Sequence, residues 1–225
     1  THMDHTRSAS VTWTSPVSNR LLVEARMGMV GFLYGREREG NNRNMPRITD
    51  QAGLIPGLTF GSMTWQRNSS VTPRWTASAT YVTGAHNIKV GMDGFALILK
   101  RTYSGNDLGL NYRLSNGVPN QFTIFVNDFR VDNTTNSFAT YAQHQSTFGR
   151  LTVQGGLRYD YVSSYAPEQS AGPSRFLPNQ ISFPKTDMVA GYHDISPRLG
   201  LAVDLFGMGK TSVKVNLGRY VDAAT

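Results

Sequence analysis

His144 and Ser146 stand two residues apart, so in an extended chain both side chains leave the same face. An imidazole beside a hydroxyl is half of a nucleophilic dyad, in which the ring takes the proton as the oxygen attacks a carbonyl. Such a dyad also needs a group that orients the imidazole and a site for the oxyanion. Asp160 or Asn216 could supply the first only if the fold brought them near, and two polar residues beside a turn are common. No catalytic residue is assigned on this basis, and no enzyme is expected. A second concentration of reactive types is Arg36, Arg38, Arg43 and Arg47, interleaved with Glu37 and Glu39. Guanidinium forks grip phosphate or carboxylate with paired hydrogen bonds, so this stretch could hold an anionic ligand or the phosphates of lipopolysaccharide. A solvated mixed-charge loop is the plainer alternative. His2, His5, His86 and His193 show no metal-ligand spacing, there is no cysteine, and no phosphate-cradling glycine loop or dinucleotide fingerprint occurs. Neither a metal nor a cofactor is expected.

The elements that must position these residues read as strands. Between Leu151 and Tyr161 one parity is Leu151, Val153, Gly155, Leu157, Tyr159 and Tyr161; the other is Thr152, Gln154, Gly156, Arg158 and Asp160. Apolar against polar with a period of two marks a strand whose faces meet different surroundings. The segment ending near Gln145 has the same composition, and Ser146 to Arg150 join the two, which implies a hairpin of strands roughly 10 residues long, about enough to cross a bilayer at a tilt. Trp75, Ala77, Ala79 and Tyr81 alternate with Arg74, Thr76, Ser78 and Thr80. The same pattern recurs over 6–14, 19–34, 86–100, 196–205 and 211–221. A helix competes over 19–34, but Gly28, Gly31 and the β-branched and aromatic content favour a strand.

Eight principal strands result, and their connections follow a rule. Short turns fall at 15–18, 83–85, 146–150 and 206–209; long loops fall at 35–72, 101–135 and 163–194, the second with a small hairpin of its own at Ser115-Asn116-Gly117. Strict alternation puts every turn at one end and every loop at the other, as in an antiparallel up-and-down meander or barrel of the outer-membrane kind. A soluble sandwich has no reason to segregate its loops in this way. Apolar parities would then face lipid, while Arg158, Asp160, Arg198, Asp204 and Lys214 would line a wet lumen, and Trp75, Tyr81, Tyr159 and Tyr161 would suit the aromatic girdles.

Composition agrees. The chain has 225 residues, 39% of them hydrophobic, and no run approaches 18 apolar residues, which excludes a transmembrane helix but not a barrel. Net charge is +7, from 22 Lys and Arg against 15 Asp and Glu. The cations are scattered rather than clustered, so nucleic acid is not an expected partner. Thr1-His2-Met3 reads as a cloning remnant, leaving 4–225 as the β-barrel portion.

Several short runs in a fixed order carry a resemblance. Tyr141-Ala142-Gln143, then Gly149-Arg150-Leu151-Thr152-Val153, then Gly156-Leu157-Arg158-Tyr159-Asp160 resemble the late barrel region of TonB-dependent outer-membrane receptors. So do Ser196-Pro197-Arg198-Leu199-Gly200-Leu201, Gly207-Met208-Gly209-Lys210-Thr211 and Gly218-Arg219-Tyr220. The resemblance covers about residues 136–222 and, more loosely, Asn19 to Arg26; the large-loop, carboxypeptidase-regulatory-like branch is nearest. It implies an all-β barrel in the bacterial outer membrane, in contact with lipid and lipopolysaccharide, that takes up a scarce nutrient such as a siderophore, vitamin, glycan or peptide. By that resemblance Arg158, Asp160 and Arg198 are lumenal ligand contacts, and the loop arginines Arg36, Arg38, Arg43 and Arg47 capture ligand. The chain departs from the pattern at His144, where the family usually has an acidic residue. It shows no match to the plug domain, eight strands stand where the family's barrel has 22, and no aromatic-ended closing strand precedes Thr225. A slice of a receptor barrel is therefore expected. Two other readings stay open: a structural or self-assembling β protein pairing through open strand edges, and an outer-membrane hydrolase, since outer-membrane phospholipases use a His-x-Ser pair like His144 and Ser146.

Overall fold

The computed structural model describes residues 2–35, 43–62, 64–126 and 128–220. Fourteen strands are present among them, and eight form a single antiparallel sheet in which every neighbour in space is a neighbour in the meander. These are β1 (His2–Pro16), β2 (Leu21–Gly35), β5 (Trp65–Thr83), β6 (His86–Ser104), β9 (Phe129–Phe148), β10 (Leu151–Ala166), β13 (Thr186–Asp204) and β14 (Ser212–Gly218). Their order is β1-β2-β5-β6-β9-β10-β13-β14. The up-and-down reading of eight principal strands is thus what the chain adopts. The short connections are tight because glycine supplies a left-handed residue where the chain must reverse: Gly84 has φ 54° and Gly149 has φ 58°.

The strands run further than the alternation predicted. Residues 65–72 belong to β5, 101–104 to β6, 129–135 to β9, 163–166 to β10 and 186–194 to β13, so the loops expected at 35–72, 101–135 and 163–194 are each shorter than that. The reason is that these extensions carry polar residues on both parities, among them Arg67, Asn68, Ser69, Arg101, Thr102, Arg130 and Asp132. A strand wet on both sides has hydrogen-bonded neighbours but no hydrophobic period to betray it.

The loops hold structure of their own. Strands β3 (Arg47–Asp50), β4 (Leu58–Phe60), β7 (Leu110–Ser115) and β8 (Val118–Ile124) form a second sheet in the order β4-β3-β7-β8, with β3 parallel to β7. The hairpin expected at Ser115-Asn116-Gly117 is its β7–β8 turn, with φ 52° at Asn116 and 77° at Gly117. The Asp50 carboxylate accepts from both turn amides, Asn116 N at 3.0 Å and Gly117 N at 2.8 Å, which ties the first long loop to the second. A third pair, β11 (Gln169–Ala171) and β12 (Ile181–Phe183), builds out the last loop.

Where the apolar residues sit decides what kind of protein this is. Among the described residues the buried apolar side chains are Trp65, Ala139 and Val162, whereas Val11, Met27, Leu157, Ile195 and Leu217 are each more than half exposed. The register aligns the exposed ones. Met27 lies opposite Trp75, Trp75 opposite Gly94, Gly94 opposite Phe138, Phe138 opposite Tyr161, and Tyr161 opposite His193. Toward the short turns the same face continues as Ile88, Val90, Ala142, Leu157, Leu199 and Val215 and reaches Phe148 and Leu151. Along β9 the rim residues Phe138 and Phe148 are about ten residues apart, which at about 3.4 Å each and a tilt of about 40° spans roughly 25 Å, the height of an outer-membrane apolar band. Aromatic contacts mark both rims: Trp75 with Phe138 at 5.8 Å and Tyr161 with His193 at 5.0 Å on the loop side, His86 with Phe148 at 6.1 Å on the turn side. An apolar face this large, left uncovered by any other element among the described residues, is what lipid covers.

Two glycines let aromatic rings lie flat on the sheet. A Cβ at Gly91 would stand 2.5 Å from the Tyr141 ring on the polar face, and one at Gly94 would stand 2.6 Å from the Trp75 ring on the apolar face. Gly91→Ala is therefore expected to destabilise the folded sheet by about 1–3 kcal/mol, because the ring must move and backbone lies behind it. The shift in denaturation midpoint in detergent measures this, and Gly155→Ala, where a Cβ meets nothing within 4 Å, serves as the neutral comparison.

Candidate functional site

The opposite parity of the same strands builds a charged ladder. Arg26 lies opposite Thr76, Thr76 opposite Asp93, Asp93 opposite Ala139, Ala139 opposite Asp160, and Asp160 opposite Asp194, a single row of Cα partners across β2 to β13. Arg158 sits two residues from Asp160 on the same face. Its Nε donates to both Asp160 oxygens at 2.9 and 3.1 Å, while Nη1 and Nη2 donate to the two Asp93 oxygens at 2.7 and 3.1 Å. Three of its five N–H groups thus point at carboxylates, the Nε–H shared between both Asp160 oxygens, and the planar fork engages two carboxylates at once, which lysine could not. To reach Asp93 the guanidinium must cross β9, and the residue it crosses near is Ala139, which has no exposed surface. A methyl group there leaves room that a larger side chain would fill.

Asp194 continues the row. It is 7% exposed and accepts from Tyr192 Oη at 3.0 Å, from Arg219 Nη2 at 3.0 Å and from the Ile195 amide at 2.7 Å. Five charged groups (Asp93, Arg158, Asp160, Asp194 and Arg219) therefore lie on one wet face with three acids against two bases. Such a face offers carboxylate oxygens to cationic or hydroxyl-rich ligands and a fixed field along which charge can move.

The expected site residues divide. Arg158 and Asp160 are brought together, and the structure adds Asp93, Asp194 and Arg219, which sequence reading missed. Arg198 stands apart: its guanidinium lies over the Tyr220 ring at 4.8 Å. Arg43 pairs with Asp107 at 3.1 Å, and Asp107 N donates to Arg43 O at 2.7 Å, so this arginine pins one loop to another. The Arg47 amide donates to Asn111 Oδ1 at 3.1 Å. Arg36 and Arg38 lie outside the described residues. Asn106, almost wholly buried, fixes the base of the loop sheet: its Nδ2 is 3.1 Å from Ser62 Oγ and 3.0 Å from both Leu110 O and Asn111 Oδ1. Asn106→Ala removes this donor from Ser62 Oγ and Leu110 O, leaves Asn111 Oδ1 only the Arg47 amide, and is expected to cost about 2 kcal/mol locally, read as faster proteolytic cutting of residues 105–128 with the eight-stranded sheet intact.

The dyad considered for catalysis is placed differently from its proposed helpers. His144 lies opposite Ile88 and Gly155, on the apolar parity, whereas Asp160 and Asn216 are on the polar parity, Asn216 opposite Gly200 and Gly200 opposite Gln154. A period of two puts them on the far side of the sheet, so neither orients this imidazole. The neighbour that does approach is His86. Among the described residues no group of three or more His, Cys, Asp or Glu converges.

Comparison with known proteins agrees with the architecture. The family model described as outer membrane beta barrel domain matches residues 1–225. A search of curated sequences finds no match. Among solved structures the fold is similar to that of a protein titled copper transporter OprC, with a TM-score of 0.62 and 16% sequence identity over 96% of this chain. The match takes in 31% of that protein, so the chain spans about a third of the length of the transporter it is similar to.

Proposed function

The chain belongs to the outer membrane beta barrel domain family, and from that premise we propose that its eight strands are one section of the wall of a larger TonB-dependent receptor barrel, which takes up a scarce nutrient. The observation that carries this reading is the pairing of an uncovered apolar face with a charged opposite face in a sheet that covers a third of a transporter. An eight-stranded barrel closed on itself has an interior just wide enough for its own side chains. A wider wall would instead leave the Arg158 ladder facing a channel, where Arg158, Asp160 and Arg198 would meet a passing ligand and Arg43 and Arg47, with Arg36 and Arg38, would act at the mouth. Lipid and lipopolysaccharide are the surroundings of the apolar face. The nutrient would be a siderophore, vitamin, glycan or peptide.

A second reading rests on the two outermost strands, β1 and β14, each of which has a neighbour on one side only among the described residues. Open edges pair with other chains, so the sheet could instead self-assemble. The absence of cysteine gives a clean test. Paired cysteines at Thr12 on β1 and Asn216 on β14, joined by a short bismaleimide in detergent, should fail to cross-link within one chain if the sheet is a section of a wider wall. Efficient intramolecular cross-linking would instead mean that the eight strands close alone. Cross-linking between chains, with light scattering that grows with time, would favour edge-to-edge assembly.

A further inference from the structure

His86, His144 and Ser146 come together on the apolar parity at the turn end of the sheet, 58 and 60 residues apart in sequence. His86 begins β6 directly after the Gly84-Ala85 turn and lies opposite Ser146 on β9; His144 is two residues further along the same strand. The register makes His86 and His144 diagonal neighbours, with ring centroids 5.3 Å apart and planes 18° from parallel. Their polar atoms form a closed triangle. His86 Nδ1 is 3.1 Å from His144 Nε2 and 2.7 Å from Ser146 Oγ, and Ser146 Oγ is 2.9 Å from His144 Nε2.

Hydrogen bonding closes two edges of this triangle but not the third. A ring nitrogen either carries a proton and donates or bears a lone pair and accepts, never both. The nitrogen–nitrogen edge therefore needs one donor and one acceptor. With His86 Nδ1–H donating to Ser146 Oγ and Ser146 Oγ–H donating to His144 Nε2, the 3.1 Å nitrogen–nitrogen edge is left without a proton of its own. With both rings in the tautomer that leaves these nitrogens unprotonated, the same three atoms each present a lone pair, a set that suits a cation. Donors about 2.0–2.1 Å from a metal stand about 2.9 Å apart when adjacent in square-planar or octahedral geometry, and about 3.4 Å apart in tetrahedral geometry. The three edges of 2.7, 2.9 and 3.1 Å fit the former.

We propose that His86, His144 and Ser146 form a binding site for a divalent transition metal of tetragonal preference, copper(II) before nickel(II), at the turn-side rim of the apolar face. Both imidazoles are exposed and Ser146 is 4% exposed, so the two rings act as the principal ligands with the hydroxyl beneath them, and the remaining positions face outward from the sheet. The site is a two-histidine chelate on adjacent strands and differs from a closed structural centre with four protein ligands. Imidazole matches copper and nickel in softness, and the order of divalent affinities places copper(II) highest. The sequence hides the site because its two histidines come from strands joined through a long loop.

The test uses the full chain in detergent with copper(II) chloride as the probe. The chain has five histidines, so a background carrying His2→Ala, His5→Ala and His193→Ala leaves these two alone. One copper(II) per chain is expected by calorimetry, with an electron paramagnetic resonance spectrum showing coupling to two imidazole nitrogens. His86→Ala and His144→Ala should each weaken binding by about tenfold or more, and Ser146→Ala by a few-fold. Heat-modified mobility on gels verifies that each variant is folded. Affinity that either histidine substitution leaves unchanged, or a spectrum with coupling to one nitrogen or none, would overturn the proposal.

Discussion

Leu157→Arg is expected to remove about 2–4 kcal/mol of stability in lipid, the penalty for a basic side chain near the midplane on the outside of a barrel. Leu157 is 53% exposed in the chain taken alone, which in a water-soluble protein would make an arginine there nearly neutral. Its neighbours across the ladders are Ala142 and Pro197, and it lies between the rim residues Tyr161 and Leu151. Apart from Thr140 and His144, which flank Ala142 on β9, the face around it is apolar and turned away from the charged ladder, so the guanidinium would have to lie in hydrocarbon or pull its stem toward an interface. Gln154→Arg, three residues away on the polar parity, places the same charge on the wet face and should change stability by less than about 0.5 kcal/mol. Denaturation midpoints in lipid vesicles compare the two directly. Equal effects at positions 154 and 157 would mean that the apolar parity does not touch lipid.

Arg158→Ala is the second large effect, and it acts on the other face. The guanidinium holds Asp93 and Asp160 apart on either side of β9, with nitrogen–oxygen distances from 2.7 to 3.1 Å. Removing it leaves two carboxylates in the same row, with Asp194 directly opposite Asp160, and no cation between them. Loss of one partner from a fully buried ion pair costs about 3–5 kcal/mol. Here the side chains are 20–32% exposed, and water recovers part of that, so about 2 kcal/mol is expected. Arg158→Lys keeps the charge but cannot make two paired contacts, and should fall between wild type and alanine. Adding Asp93→Asn to Arg158→Ala relieves the repulsion, so the double variant should be more stable than the sum of the single effects by about 1 kcal/mol. Additive single effects would show that the two residues act independently and that the fork is not what holds this row in place.

Both experiments depend on a feature visible in one dimension. The alternation of Leu151, Val153, Leu157, Tyr159 and Tyr161 with Thr152, Gln154, Arg158 and Asp160 assigns each side chain to a face before any partner strand is known, because a strand's period is two whatever it pairs with. The same alternation over 74–82 and 196–205, with turns and loops in strict succession, was enough for an antiparallel meander in the bacterial outer membrane. It also put Arg158 and Asp160 on one face. It did not reveal the ends of the strands, since beyond the rims Arg67, Lys100 and Arg130 stand in water on strands whose two faces have become alike.

What the residues determined alone is therefore local: parity, turn chemistry and the apolar band. What only the folded chain decided is level, meaning which residue of one strand lies beside which of the next. Asp93 reaches Arg158 across β9, Asp194 faces Asp160, and His86 meets His144 and Ser146 because backbone hydrogen bonds lock adjacent strands into one register. Register is a property of pairs of strands, and a shift of two residues would keep every side chain on its face while dissolving each of these groupings.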